Sequence, residues 1–303
     1  MEYSELIKKV HKIEIKAKGL SRNVFAGQYK SAFKGRGMTF SEVREYSYGD
    51  EVRSIDWNVT ARYNKPFIKV FEEERELALM LMIDVSGSTG FGSHTCLKSE
   101  TITEIAAILA FSAISNNDKV GALLFSDKVE MYIPPKKGSA HCLRIIRELL
   151  SFKPNSTSTS FSEPFVYINN VIKRRCTCFL FTDGLFPQTF PSTIKKDTES
   201  PFGKSLSIFA RKHDVCSILV NDKSEFEMAD LGLILMQDLE TNNKIWIDSS
   251  DKKNREQFHE YMINTHNSTT NEFKKLGIDY ISVFTDDDYT KALIKLFANR
   301  ERL

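Results

Sequence analysis

Leu77-Ala78-Leu79-Met80-Leu81-Met82-Ile83 runs directly into Asp84-Val85-Ser86-Gly87-Ser88, and the reading of these twelve residues decides the fold. Seven consecutive apolar residues bounded by turn formers read as a strand buried on both faces, as in the interior of a parallel sheet. Behind it stand one carboxylate and two hydroxyls at alternating positions, with Gly87 letting the backbone fold tightly between them. In an open α/β sheet ligands gather at the carboxyl ends of strands, which is where this triplet falls. Three converging oxygen donors suit a hard cation such as Mg²⁺. Asp and Ser at a strand-to-helix turn also serve as plain caps, so the triplet alone leaves both readings open.

Two later stretches bear on that choice. Cys176-Thr-Cys-Phe-Leu-Phe181 is a second apolar run, followed by Thr182-Asp183-Gly184 with another carboxylate at a strand end. Between the two runs lies the hydroxyl-rich loop Asn155-Ser-Thr-Ser-Thr-Ser160. Asp84, Ser86, Ser88, one loop threonine and Asp183 together make a five-residue oxygen set. That is the pattern of a metal-ion-dependent adhesion site (MIDAS), and here the chain resembles the von Willebrand factor A (vWA) domain. The resemblance implies a site for Mg²⁺ (or Mn²⁺). In such sites serine and threonine hydroxyls ligate the ion directly and the aspartates act through bound water. One coordination position stays open for a carboxylate supplied by a protein partner.

Composition narrows the function classes. The chain has 303 residues, 41% hydrophobic and 27% charged, with a formal net charge of +2. That is room for one large or two modest domains of an ordinary soluble protein, with no strong charge bias toward acidic or basic partners. Met1-Glu-Tyr-Ser-Glu-Leu6 lacks the basic and apolar regions of a signal peptide. The longest apolar stretch, Ile105 to Ile114, is too short to span a bilayer. A cytoplasmic location is the expectation. Five cysteines (Cys96, Cys142, Cys176, Cys178, Cys216) without zinc spacing read as reduced, buried thiols. The six histidines are scattered, and His213 is expected at a helix end.

Along the chain, residues 1–18 alternate apolar and basic positions at helical spacing and predict an amphipathic helix. Residues 19–76 are rich in Gly, Arg and aromatics without a clear period. From 77 onward strand and helix patterns alternate, which predicts a doubly wound α/β fold: a mostly parallel, Rossmann-like sheet flanked by helices. Prolines and lysines in Pro134-Pro-Lys-Lys-Gly138 read as a loop, and 233–247 as a hairpin at a sheet edge. Residues 252–276 read as a long helix, interrupted around Asn264 to Thr270. The expected organisation is an irregular N-terminal region, 1–76, followed by a vWA-like domain, 77–303.

The N-terminal region carries a second signature. Gly35-Arg-Gly-Met-Thr-Phe-Ser-Glu-Val-Arg-Glu-Tyr46 and Tyr48-Gly-Asp-Glu-Val-Arg-Ser-Ile-Asp-Trp-Asn-Val-Thr-Ala-Arg62 suit internal Arg–carboxylate pairs and tight turns. They closely resemble the signature that the bacterial family known as domain of unknown function 58 (DUF 58) places just before a vWA domain. The match continues through Lys69-Val-Phe-Glu-Glu-Glu-Arg75, Asn117-Asp-Lys-Val120, Pro134-Pro-Lys-Lys137 and Arg211-Lys-His-Asp214, and so covers nearly the whole chain. Matched to that family, the loop threonine of the metal site is Thr159. Relatives usually carry Asp at the next position, where this chain has Ser160, and the stretch Leu185 to Ser200 also departs from the family pattern. The resemblance implies partnership with a MoxR-type AAA+ ATPase in assembly, maturation or stress-related remodelling.

Two other functions were weighed. Residues 1–36 hold nine Lys/Arg against three Glu, and aromatics interleaved with arginines can form a nucleic-acid surface. The acidic residues Glu42, Glu45, Asp50 and Asp56 fit internal pairing better, so a nucleic-acid scaffold is the alternative. A metal-dependent phosphatase would want a second carboxylate two residues after Asp84, where Ser86 stands, and no Walker loop or Gly-x-Ser-x-Gly elbow is present. The sequence is read as a non-enzymatic, metal-dependent protein-interaction module.

Overall fold

The computed structural model describes residues 3–21, 39–72, 77–92, 97–156, 158–185, 202–237 and 244–301. The basic stretch 22–38, the loop beyond Leu185 up to Ser200 and the turn Glu240 to Asn243 lie outside them. Helix α1 (Tyr3–Leu20) is amphipathic as its spacing predicts, with Val10, Ile13 and Ala17 buried. Next come β1 (Thr39–Glu45), α2 (Trp57–Tyr63) and β2 (Phe67–Glu72), and the two strands pair antiparallel. The stretch expected to be irregular therefore holds a ribbon. Its alternation is hidden by a register shift between Phe40 and Glu42, where an extra residue breaks the two-residue period.

The rest of the chain alternates strand and helix. Its elements are β3 (Ala78–Asp84), α3 (Lys98–Ser115), β4 (Lys119–Phe125), β5 (Val129–Lys136), α4 (Ser139–Ser151), α5 (Ser162–Val171) and β6 (Thr177–Thr182). They continue with α6 (Gly203–Lys212), β7 (Asp214–Asn221), β8 (Leu233–Gln237), β9 (Lys244–Asp248), α7 (Lys252–Leu276), β10 (Asp279–Phe284) and α8 (Tyr289–Glu301). Six strands form one sheet in the order β10-β7-β6-β3-β4-β5, parallel throughout except for β5. This is the doubly wound, mostly parallel α/β architecture the sequence predicts. β3 pairs with β4 on one side and with β6 on the other, so the winding reverses at its carboxyl end. A crevice at such a reversal is the ordinary place for a ligand.

β3 is buried along its whole apolar run because both faces are covered. Met80 and Met82 pack with Phe125, Phe161, Phe165 and Phe209 on one face. On the other face lies α3, itself buried nearly all round because α1 covers its outer side. Lys9 and Lys16 of α1 pair with Glu100 and Glu104 of α3 at 2.5 and 2.6 Å. Burying each Leu- or Met-sized side chain in this way contributes roughly 1.5–3 kcal/mol.

By internal packing the chain divides into Phe33–Leu77 and a larger unit made of Met1–Ala32 with Ala78–Leu303. Helix α1 thus belongs to the larger unit, while residues 33–76 of the expected N-terminal region fall in the smaller one. In that smaller unit Arg44 makes a two-pronged pair with Asp50 at 2.8 and 2.7 Å, and the Asp56 carboxylate caps α2 by accepting from Asn58 N and Val59 N.

Three local expectations are corrected. β5 runs on through Pro134 and Pro135, because an edge strand tolerates residues without an amide hydrogen. Opposite them sits Gly121, where a Cβ would meet Ile133 O at 2.8 Å and Pro135 N at 2.9 Å. Helix α7 is continuous through Asn264–Thr270, where Thr269 and Thr270 are buried. The hairpin β8–β9 forms a separate two-stranded sheet and not an edge of the large one.

Candidate metal centre

Asp84 is the last residue of β3, and the chain turns immediately after it. Its Oδ1 accepts from Ser86 N at 2.9 Å and its Oδ2 accepts from Thr182 Oγ1 at 3.3 Å. The Ser86 carbonyl then accepts from both Thr89 N (3.1 Å) and Thr89 Oγ1 (2.8 Å), which fixes a short 3₁₀ turn over Gly87–Gly90. The turn leaves the Ser86 and Ser88 hydroxyl oxygens 3.2 Å apart.

Asp183 follows β6, the strand beside β3. Gly184 after it has φ +67, a conformation that suits glycine, and a Cβ there would lie 2.8 Å from Leu219 Cδ2. Thr182 Oγ1 accepts from Gly184 N at 3.2 Å while donating to Asp84, so one hydroxyl links the two strand ends. Thr269 of α7 donates to Gly184 O and holds the turn from behind.

Both oxygens of Asp183 are engaged. Oδ1 accepts from Leu185 N at 3.1 Å, and Oδ2 accepts from the ammonium of Lys98 at 3.1 Å. Lys98 is fully buried and also donates to Glu225 at 2.5 Å. Burial pushes this ammonium down, but attraction by Asp183 and Glu225 outweighs it and holds the group above its ordinary value. Burial pushes Glu225 up, and Lys98 offsets that only in part.

Thr159 sits on the loop 158–160, half-buried. The loop is tied to the end of β4: Ser160 N donates to Ser126 O at 3.0 Å. Its earlier part is tied to β5, where the Glu130 carboxylate accepts from Ser126 Oγ (2.8 Å), Asn155 N (3.2 Å) and Asn155 Nδ2 (2.6 Å). Burial is the largest single influence on the Glu130 carboxyl and pushes it up, but these hydrogen bonds together outweigh it and hold the group below its ordinary value.

Asp84, Ser86, Ser88 and Asp183 are therefore linked directly or through Thr182, and Thr159 lies on a loop anchored to the neighbouring strand end. Three partners escaped the sequence reading. Lys98 is the chief of them, since lysine is ordinarily exposed. A signal was present: a lysine at the first turn of an otherwise apolar helix opposes the helix dipole and needs a reason to be there. Glu225 and Thr182 carry no comparable mark.

The donor set fits the expected ion. All candidate donors are oxygens, as Mg²⁺ or Mn²⁺ requires. With Mg–O bonds of about 2.1 Å, adjacent ligands of an octahedron stand about 3.0 Å apart, close to the 3.2 Å between Ser86 Oγ and Ser88 Oγ.

Residues 42–268 match the family described as protein of unknown function DUF58. The chain belongs to that family. This DUF58 protein is 25% identical over 292 residues to an uncharacterized protein of Mycobacterium tuberculosis, covering 96% of its own length and 88% of the relative's. It is 28% identical over 109 residues to the uncharacterized protein YeaD of Bacillus subtilis, covering 36% of this chain and 25% of YeaD. Among solved structures, the conserved hypothetical protein BatB from Bacteroides thetaiotaomicron is similar with a TM-score of 0.46 and 13% identity, over 75% of this chain and 100% of BatB. The SpRpn10 VWA domain is similar with a TM-score of 0.38 and 11% identity, over 73% of this chain and 97% of that domain. The sheet order and its winding make the fold of the DUF58 protein vWA-like. Among its described residues no helix is long and apolar enough to cross a membrane.

Proposed function

We propose that this DUF58 protein is a non-catalytic protein-interaction module that docks its partner through a divalent cation, Mg²⁺ or Mn²⁺. Ser86, Ser88 and Thr159 would hold the ion by their hydroxyls, and Asp84 and Asp183 through water. The observation that carries this reading is the division of labour among the oxygens. The two serine hydroxyls face each other at the spacing of an octahedral edge. Both carboxylates are already engaged, with Asp84 bonded to Ser86 N and Thr182 and Asp183 to Leu185 N and Lys98. Carboxylates so occupied suit an outer role, and a cation with few anionic ligands stays electrophilic toward a carboxylate from another protein.

The partner class proposed is a MoxR-type AAA+ ATPase, and its support is the family signature in residues 35–75. A nucleic-acid role draws no support from Arg44, whose guanidinium is taken up by Asp50. The test is capture of partners from the native host in Mg²⁺ and in EDTA, with wild type beside Asp84→Ala and Ser88→Ala. An ATPase retained only by wild type in Mg²⁺ is the expected result. Equal retention in every condition would overturn the metal-dependent part of the reading.

A further inference from the structure

Strand β6 carries a second cluster at its opposite end. Cys176 lies just before the strand and Cys178 one residue inside it, so both thiols share one side. Helix α6 ends at Lys212, and His213, the next residue, is brought back to the start of β7 alongside them. The Sγ atoms stand 3.5 Å apart, and Cys176 Sγ lies 3.2 Å from His213 Nδ1. All three donor atoms fall within 4.8 Å of one another, and all three residues are buried.

We infer that Cys176, Cys178 and His213 form a binding site for a thiophilic d¹⁰ cation, Cu⁺ or Zn²⁺, at the amino edge of the sheet. The separations are those of such a site. With Zn–S near 2.3 Å and Zn–N near 2.0 Å, tetrahedral edges are about 3.8 Å for S–S and about 3.5 Å for S–N. The two edges made by Cys176, 3.5 Å to Cys178 Sγ and 3.2 Å to His213 Nδ1, come within a few tenths of an ångström of these values, and the third lies within 4.8 Å.

The ring is also held in the required state. His213 Nδ1 accepts from Cys176 N in a long bond of 3.3 Å, which puts the ring proton on Nε2 and leaves Nδ1 a lone pair that an ion would take over from this weak hydrogen bond. Nε2 is buried and has no hydrogen-bond partner among the described residues. Nδ1 is the ring nitrogen on the side of the thiols, 3.2 Å from Cys176 Sγ.

Soft sulfur donors select Cu⁺ and Zn²⁺ and reject Mg²⁺, so this site is chemically separate from the oxygen site. The ion binds both sulfurs as thiolates, so whatever protons the two thiols still hold are released to solvent. Zn²⁺ then cancels the charge of two thiolates exactly once over, whereas Cu⁺ is satisfied by three donors. Either ion would clip the end of α6 to the start of β6.

The full-length reduced chain is titrated anaerobically with Zn²⁺, with Co²⁺ as its spectroscopic surrogate, and with chelator-buffered Cu⁺. The expected result is one equivalent of one of these ions per chain, proton release, a thiolate-to-cobalt charge-transfer band if the site is of the zinc type, and a raised unfolding temperature. All of these are lost in Cys178→Ser and His213→Phe and kept in Cys142→Ser. X-ray absorption on the loaded wild type, independent of whether any variant folds, should read two sulfurs and one nitrogen. No stoichiometric uptake of any of these ions by wild type, uptake unchanged in Cys178→Ser, or a shell without sulfur would overturn the inference.

Discussion

The two ends of strand β6 make opposite kinds of polar site. At its carboxyl end Asp183 joins Asp84, Ser86 and Ser88 in a cluster of hard oxygens. At its amino end Cys176 and Cys178 meet His213 in a cluster of soft donors. Six residues separate them, a strand length of about 20 Å; the sulfur cluster is buried, as are Asp84, Ser86 and Asp183, while Ser88 is partly exposed. The difference lies in what compensates the burial. Carboxylates cannot be buried alone, so the oxygen end draws in Lys98, the 3₁₀ turn and Thr182. At the sulfur end the compensation is internal to the cluster: burial pushes Cys178 well above the usual thiol range, while the hydrogen bond from the Cys178 thiol and the His213 ring hold Cys176 below it.

The sharpest way to break this contrast is Lys98→Met. Removing the ammonium leaves Asp183 and Glu225 buried without their partner, and the loss of stability should be about 3–5 kcal/mol in urea unfolding. A loss near zero would mean that the oxygen end is not organised by charge. Thr182→Val is milder: it removes one hydrogen bond worth about 1 kcal/mol, and it should weaken Mn²⁺ binding about tenfold, because the hydroxyl orients Asp84. Titration with Mn²⁺ followed by calorimetry reads both the affinity and its insensitivity to Cys178→Ser.

The smallest effect concerns the Thr159 loop. Because Glu130 is held below its ordinary value of 4.5 in the folded state, its contribution to stability is fully present above that value. It fades as the pH falls through the lower folded value. Wild type should therefore lose a margin of stability in mild acid that Glu130→Gln lacks at every pH. Parallel thermal-melt profiles from pH 6 down to 3 check this, and superimposable slopes for the two proteins would contradict it.

Most of the sheet was legible because its strands are long apolar runs. Burial on both faces leaves no alternation to misread, and in β4 every residue after the exposed Lys119 is buried through Phe125. The ribbon of β1 and β2 was not legible, since a bulge and the surrounding glycines erase the period. At the oxygen end the proposed ligands Asp84, Ser86, Ser88 and Asp183 could be named from the sequence because they end or follow strands, whereas Lys98 and Glu225, which arrive from distant elements with the residue types of a surface, could not. The sulfur cluster was hidden for a topological reason. Cys176 and His213 are 37 residues apart and match no metal spacing, yet β6 and β7 are neighbours in the sheet, so the crossover through α6 returns the histidine to the thiols.

We propose that paired hydroxyls at the oxygen end of β6 hold a hard divalent ion. Electron paramagnetic resonance of Mn²⁺ titrated into wild type and Ser88→Ala tests it most directly. The expected result is one Mn²⁺ per chain, displaced by Mg²⁺, with affinity at least about tenfold weaker in Ser88→Ala at an unchanged unfolding midpoint in the absence of metal. Equal affinity in the two proteins, or no stoichiometric Mn²⁺ in wild type, would contradict it.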